Sequence, residues 1–246
     1  MQALTQDTTS SLVTIELPDA QLNAFLAQPQ GGESRPAVIV VHEIFGLTDH
    51  IKDVACRFAR AGFTALAPDL FTREGTLPLD QGFDAIRAIV GNIPDARLVS
   101  DLNTCAAWLR AVPGAAGPVG LVGFCWGGRV AMLLAGNTGD VQACVAYYGR
   151  VEGDKTAAQP AHPIDIVESI NSPLMGHFGG QDHAIPVEGV RRLENALKSA
   201  GKLSEIFVYE EAGHAFNNDT REQAFHADSA SIAMQRTHDW FKTHLY

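Results

Sequence analysis

Apolar and polar positions along the chain alternate between two periods. Residues 12–16 and 21–27 switch polar and apolar side chains around Pro18-Asp19, which predicts an antiparallel hairpin at a sheet edge. Residues 37–41 are a continuous apolar run rich in valine, as in a strand buried on both faces. Residues 48–61 carry apolar side chains at helical spacing and stop at Gly62. Residues 63–67 predict the next strand, closed by Pro68-Asp69. Residues 83–112 read as mostly helical, with Pro94 opening a new helix. Strands are expected over 119–122, 142–147, 173–178 and 205–209. Helices are expected over 187–200, ended by Gly201, and over 220–244. The stretch 152–170, with Pro160 and Pro163, reads as irregular. Strands alternating with helices predict the α/β class, with a mostly parallel central sheet covered by helices on both faces. No Gly/Ser/Pro-rich linker, repeat or charge block divides the chain, so one domain over residues 1–246 is expected.

Between the strand at 119–122 and the helical run at 129–134 lies Gly123-Phe124-Cys125-Trp126-Gly127-Gly128. This is the G-x-S-x-G pattern of the nucleophile elbow of α/β-hydrolases, with a thiol in place of the hydroxyl. Glycines two before and two after the apex let strand and helix pass without Cβ clashes, and the apex backbone is expected to be strained. A free cysteine is usually a small buried core residue, and Cys56, Cys105 and Cys144 are read that way. The flanking glycines set Cys125 apart as a nucleophile that would form a thioester.

Composition narrows the partners. The 246 residues carry a formal net charge of −10, which argues against nucleic acid, because phosphate binding needs clustered Lys and Arg. No apolar run approaches the ~20 residues of a membrane span. The polar stretch 1–11 lacks the apolar core of a signal peptide. With no C-x-x-C spacing and a free catalytic thiol, a cytoplasmic setting is expected.

A thiol nucleophile needs a base, and the base needs a group to orient it. In this fold the chain order is nucleophile, acid, histidine. The chain offers Cys125, Asp182 and His214 in that order, each after an expected strand, at the sheet edge where α/β proteins bind ligands. Taken singly, Asp182 could be a loop or capping carboxylate and His214 a solvated loop residue. The tetrahedral oxyanion requires fixed N–H donors. The backbone N–H groups of Trp126 and of Ile44, in the loop after 37–41, are the candidates for this oxyanion hole. His177, Asp182 and His183 match no zinc signature, so no metal is expected, and no cofactor motif is present.

Taken together, the motifs go further. Glu43-Ile44-Phe45-Gly46, Pro68-Asp69-Leu70-Phe71, the Cys125 elbow, Tyr147-Tyr148-Gly149, Gly179-Gly180-Gln181-Asp182 and Gly213-His214-Ala215-Phe216 occur in one order along nearly the whole chain. In these the chain resembles the dienelactone hydrolase (carboxymethylenebutenolidase) family. The resemblance implies a Cys125-His214-Asp182 triad acting on a small-molecule lactone or ester. It also implies that Glu43 lies beside the thiol and helps deprotonate it when substrate binds; an ionised carboxylate beside a sulfur favours the neutral thiol at rest. The resemblance further implies arginines on a substrate carboxylate, one of them four positions after the catalytic histidine. Here that position is Asn218, and a neutral amide cannot replace a guanidinium there. The second arginine is expected after Phe71, as either Arg73 or Arg87. Phe45, Tyr148, Phe216 and Asn218 are the candidate substrate contacts, with Tyr148 foremost, while Tyr147 and Phe71 fit core positions equally well. Three readings follow: a lactone or small-ester hydrolase, a general carboxylesterase or thioesterase on a different, possibly neutral substrate, and a non-catalytic ligand-binding domain. The sequence leaves the oligomeric state open.

Overall fold

The structure, a computed structural model, describes residues 7–31, 34–115, 117–137 and 140–246. The first six residues of the polar N-terminal stretch lie outside the described residues. Among the described residues eight strands form one sheet in the order β1-β2-β4-β3-β5-β6-β7-β8. They are β1 (Thr8–Glu16), β2 (Gln21–Pro29), β3 (Ala37–Val41), β4 (Thr64–Pro68), β5 (Val119–Phe124), β6 (Ala143–Tyr147), β7 (Leu174–Gly179) and β8 (Ser204–Tyr209). β1 pairs antiparallel with β2, and β2 antiparallel with β4. The remaining pairings, from β4 through β8, are parallel. The edge hairpin and the parallel body match the period-two and continuous-apolar readings.

Among the described residues six α-helices cover the sheet: α1 (Asp49–Arg60), α2 (Phe83–Val90), α3 (Asp95–Arg110), α4 (Trp126–Ala135), α5 (Val187–Ser199) and α6 (Ala227–Leu245). Every residue of β3 is buried, and its side chains divide between two cores. Ala37, Ile39 and Val41 join Leu102, Val130 and Leu193 on the face covered by α2 to α5. Val38 and Val40 join Val54, Phe58 and Phe241 on the face covered by α1 and α6. A parallel sheet buried on both faces reads as near-continuous apolar runs for this reason. Among the described residues no helix is long and apolar enough to cross a membrane.

Two elements differ from expectation. The last helix begins at Ala227, not 220. The polar spacing of 220–226 suits a helix, but the segment is drawn back into turns. The His226 N–H donates to the Phe216 carbonyl (3.0 Å), and Asn218 Oδ1 accepts from both the N–H and the hydroxyl of Thr220. His226 then caps α6 by accepting from the Ser229 N–H. Within 152–170, Pro163–Ser169 form a 3-10 helix.

Candidate active site

The site is assembled at the carboxyl ends of the parallel strands. β5 runs into α4 through Cys125, whose φ of 55° and ψ of −113° lie outside the regions favoured by L-residues. Only glycines allow this turn. A Cβ on Gly123 would sit 2.0 Å from the Gly127 carbonyl oxygen, and one on Gly127 would sit 2.5 Å from the His42 carbonyl oxygen. Three non-glycine residues have positive φ among the described residues: Cys125, Tyr148 and Ala215. All three adjoin the site, so backbone strain is concentrated where the chemistry would be.

His214 bridges the other two triad candidates. Its Nε2 lies 3.1 Å from Cys125 Sγ and its Nδ1 2.7 Å from Asp182 Oδ2. The Asp182 side chain is 1 % exposed, and its Oδ1 accepts from the N–H groups of Ala184 (2.8 Å) and Ile185 (3.1 Å). A carboxylate so held cannot swing away, and it fixes the Nδ1–H tautomer of the ring. The loops carrying the pair are bonded to each other: Gly180 N–H donates to Tyr209 O (2.7 Å) and Gln181 N–H to Ala212 O (2.9 Å). Gly179 and Gly180 permit this approach, since Cβ atoms there would lie 2.5 Å from Ala212 O and 2.6 Å from Glu210 Cα. Burial disfavours a charged His214, but the bonds to Asp182 and Cys125 outweigh it and raise its pKa to about 10.

Glu43 is buried in the loop after β3. Its Oε2 accepts from Asn218 Nδ2 (2.9 Å), while Oε1 has no partner among the described residues. The loop is pinned by His42, which donates from Nδ1 to the Glu43 carbonyl (2.7 Å) and accepts at Nε2 from the Leu70 N–H (3.1 Å). Burial lowers the pKa of His42, which suits this neutral, doubly bonded ring. Its ring stacks on Trp126 with centroids 5.5 Å apart. The Tyr148 hydroxyl is buried without a partner among the described residues. Burial first, then the charges of Glu43 and Cys125, hold it far from ionisation. The N–H groups of Ile44 and Trp126 have no acceptor among the described residues.

A cavity of about 270 Å³ opens on the thiol. Cys125, His214, Ile44, Trp126 and Tyr148 line it, together with Phe83, Arg87, Arg129, Arg150 and Gln159. Of the four expected substrate contacts, only Tyr148 reaches it. Phe216 is fully buried against Tyr148 and Tyr209 in the core behind the site. Phe45 packs on Phe83 and borders a separate cleft with Phe71. The Asn218 amide is spent on Glu43. Of the two arginines left open, Arg87 lines the cavity, whereas Arg73 is bound to Asp19 and Asp101. His177, weighed above as a metal ligand, is buried and bonded to Tyr209 and Thr237. No group of three His, Cys, Asp or Glu among the described residues is arranged to hold a metal.

Sequence reasoning missed His42, Arg129 and Arg150. Arg129 left a signal: it is a lone charge inside the apolar run of α4, which requires a buried partner.

The model of the dienelactone hydrolase family matches residues 22–245. The chain belongs to the dienelactone hydrolase family. It is 41 % identical over 222 residues to an Escherichia coli protein named "Putative carboxymethylenebutenolidase", covering 89 % of this chain and 81 % of that protein. A Methylorubrum extorquens protein of the same name is 39 % identical over 232 residues, covering 94 % and 79 %. The crystal structure titled as a putative dienelactone hydrolase from Klebsiella pneumoniae superposes with a TM-score of 0.93 at 36 % identity, covering 96 % of this chain and 99 % of that one. As a member of the dienelactone hydrolase family the chain is a hydrolase with the α/β-hydrolase fold.

Proposed function

We propose that the protein hydrolyses a lactone or small carboxylic ester through a Cys125-His214-Asp182 triad and a thioester intermediate. The observation that carries this reading is the position of His214, within bonding distance of the thiol on one side and of a locked carboxylate on the other. Cys125 Sγ attacks the carbonyl carbon as the thiolate while His214, its pKa raised to about 10, holds the thiol proton as the imidazolium, and the N–H groups of Ile44 and Trp126 bind the oxyanion. The carbon–oxygen bond then breaks, and the imidazolium protonates the leaving enolate or alkoxide, which for a lactone stays tethered and could otherwise reclose. His214 next takes a proton from water as its oxygen attacks the thioester. The carbon–sulfur bond breaks and the sulfur recovers its proton. Glu43 Oε1, without a partner among the described residues, supports its assignment as a carboxylate that helps the thiol give up that same proton when substrate arrives. Asp182 holds the ring and stabilises its charged form.

Incubation with a lactone or active ester, followed by mass mapping, tests the reading. An acyl adduct on Cys125 is expected, and Cys125→Ala should lose both adduct and turnover while keeping its circular dichroism spectrum. Full turnover by that variant would end the proposal. The engagement of Asn218 with Glu43 favours a second reading, a carboxylesterase or thioesterase of neutral substrates. A strong preference for carboxylate-bearing over neutral esters would count against it.

A further inference from the structure

We propose that His50 is a positioning residue for Glu43: its ring binds the carboxylate oxygen that Asn218 leaves free and takes up the proton that would otherwise neutralise that carboxylate. The inference rests on the reading above, in which Glu43 assists the thiol, and deepens it.

His50 lies in the first turn of α1, the helix that follows the Glu43 loop, and its side chain is 4 % exposed. The other buried histidines, His42, His162 and His177, each bond through both ring nitrogens. His50 bonds through neither. Its Nδ1 stands 3.3 Å from Asp219 Oδ1 without the alignment of a hydrogen bond, and its Nε2 has no partner among the described residues. Buried polar atoms left in this state are rare and costly, which marks the ring as one with a second arrangement.

Two consecutive residues bring His50 and Glu43 into one cluster. Asn218 Nδ2 donates to Glu43 Oε2 (2.9 Å), and Asp219 carries the carboxylate facing His50 Nδ1. Asp219 is held in turn by Arg57, whose Nη2 donates to Oδ2 (2.5 Å). The cluster therefore contains an orphaned acceptor, Glu43 Oε1, and an orphaned ring nitrogen, His50 Nε2. With Oε2 pivoting on Asn218, Oε1 is the oxygen free to turn between His50 and the thiol.

The charged groups facing the ring are Glu43 from the loop after β3, Asp219 from the loop before α6 and Arg57 from α1 itself. Burial disfavours the charged ring and lowers its pKa, the two carboxylates favour the charge, and Arg57 opposes it. A neutral imidazole has one N–H and can serve one carboxylate. The imidazolium has two and serves both, Nδ1 toward Asp219 and Nε2 toward Glu43. On acidification a proton taken by the ring leaves Glu43 charged and adds a charge-assisted bond to it. Asp219, with a side chain 33 % exposed, joins the ring to solvent.

The test is the pH profile of kcat/KM for p-nitrophenyl acetate with the full chain. His50→Gln keeps an N–H but cannot take a proton. Its plateau near about pH 8 should stay within about threefold of the parent, while its acid limb should move up by about one pH unit, a tenfold loss at a fixed pH on the limb. His50→Leu, which offers no N–H, should move the limb at least as far. A merely structural role would lower the whole curve and the urea midpoint without displacing the limb. A limb unmoved in both variants, or a curve lowered uniformly, overturns the proposal. In a Glu43→Gln background His50→Gln should leave the limb where it lies; an equal displacement there also overturns the proposal, because His50 then acts on another group. If Glu43→Gln alone keeps the parent's rate and profile, the assignment of Glu43 falls and this inference with it. An effect of Glu43→Gln with none of His50→Gln strikes this inference alone.

Discussion

Replacing Gly123 by alanine separates the geometry of the elbow from its composition. The added Cβ would stand 2.0 Å from the Gly127 carbonyl oxygen and 2.4 Å from its carbon, where contacts under 3.0 Å are essentially never tolerated. Both partners are backbone, so no side chain can rotate away. The first turn of α4 must retreat from the end of β5 by about 1 Å or more, and Cys125 sits between them. Overpacking of this kind costs about 1–3 kcal/mol. At about 2–4 °C per kcal/mol for a chain of this size, Tm should fall by roughly 2–12 °C. A misplacement of about 1 Å at the nucleophile should lower kcat/KM by about 100-fold. Gly213, beside His214, is the control: a Cβ there meets only Gln181 O at 3.8 Å, so Gly213→Ala should remain active. Thermal unfolding and active-ester turnover of the two variants are the assays. A Gly123→Ala enzyme within fivefold of the parent, or a Gly213→Ala enzyme equally damaged, would refute the steric reasoning.

Three further outcomes follow from the charges and bonds of the site and core. The raised pKa of His214, about 10, keeps the imidazolium available to protonate the leaving group up to that pH, and the stability it contributes is full below about 6.5 and lost as pH rises through about 10. Asp182→Asn should therefore move the alkaline limb of kcat/KM down toward about pH 6.5; an unmoved limb would contradict the assignment. Burial, reinforced by the charge of Arg236, lowers the pKa of His177 to about 3. Between about pH 6.5 and 3 the unfolded chain binds a proton that the folded one refuses, so stability falls on acidification by about 1.4 kcal/mol per pH unit from this ring. Urea titrations should show that slope flattened in His177→Gln, and an unchanged slope would exclude the ring as its source. Asn218→Ala removes the one hydrogen bond found on the buried Glu43 carboxylate among the described residues and should cost about 1.5–3 kcal/mol in urea unfolding. A neutral result would mean that Glu43 relaxes to a new partner.

Much of the fold was legible because it is written in short-range terms. The two-residue alternation of 12–16 and 21–27, the apolar runs of β3 and β6 and the helical spacing of α1 each depend on neighbours a few positions away. The strained turn at Cys125 was legible too, since its glycines lie two residues to either side. The order Cys125, Asp182, His214 followed from chain position alone. Where α6 starts was not legible, because a hydrogen bond from His226 back to Phe216 overrides a polar pattern that suits a helix equally well.

The sequence by itself determined the α/β class, the family and the identity of the nucleophile candidate. Only the tertiary structure decided which side chains share the cavity. Phe216 sits next to His214's loop in sequence yet turns into the core, while Arg150 and Gln159 line the thiol's cavity from a segment with no periodicity to read. The reason is that periodicity reports which face of one element is buried. Whether a polar group is already spent, as Asn218 is on Glu43 and Arg129 on Asp95, depends on partners brought close from 175 and 34 positions away.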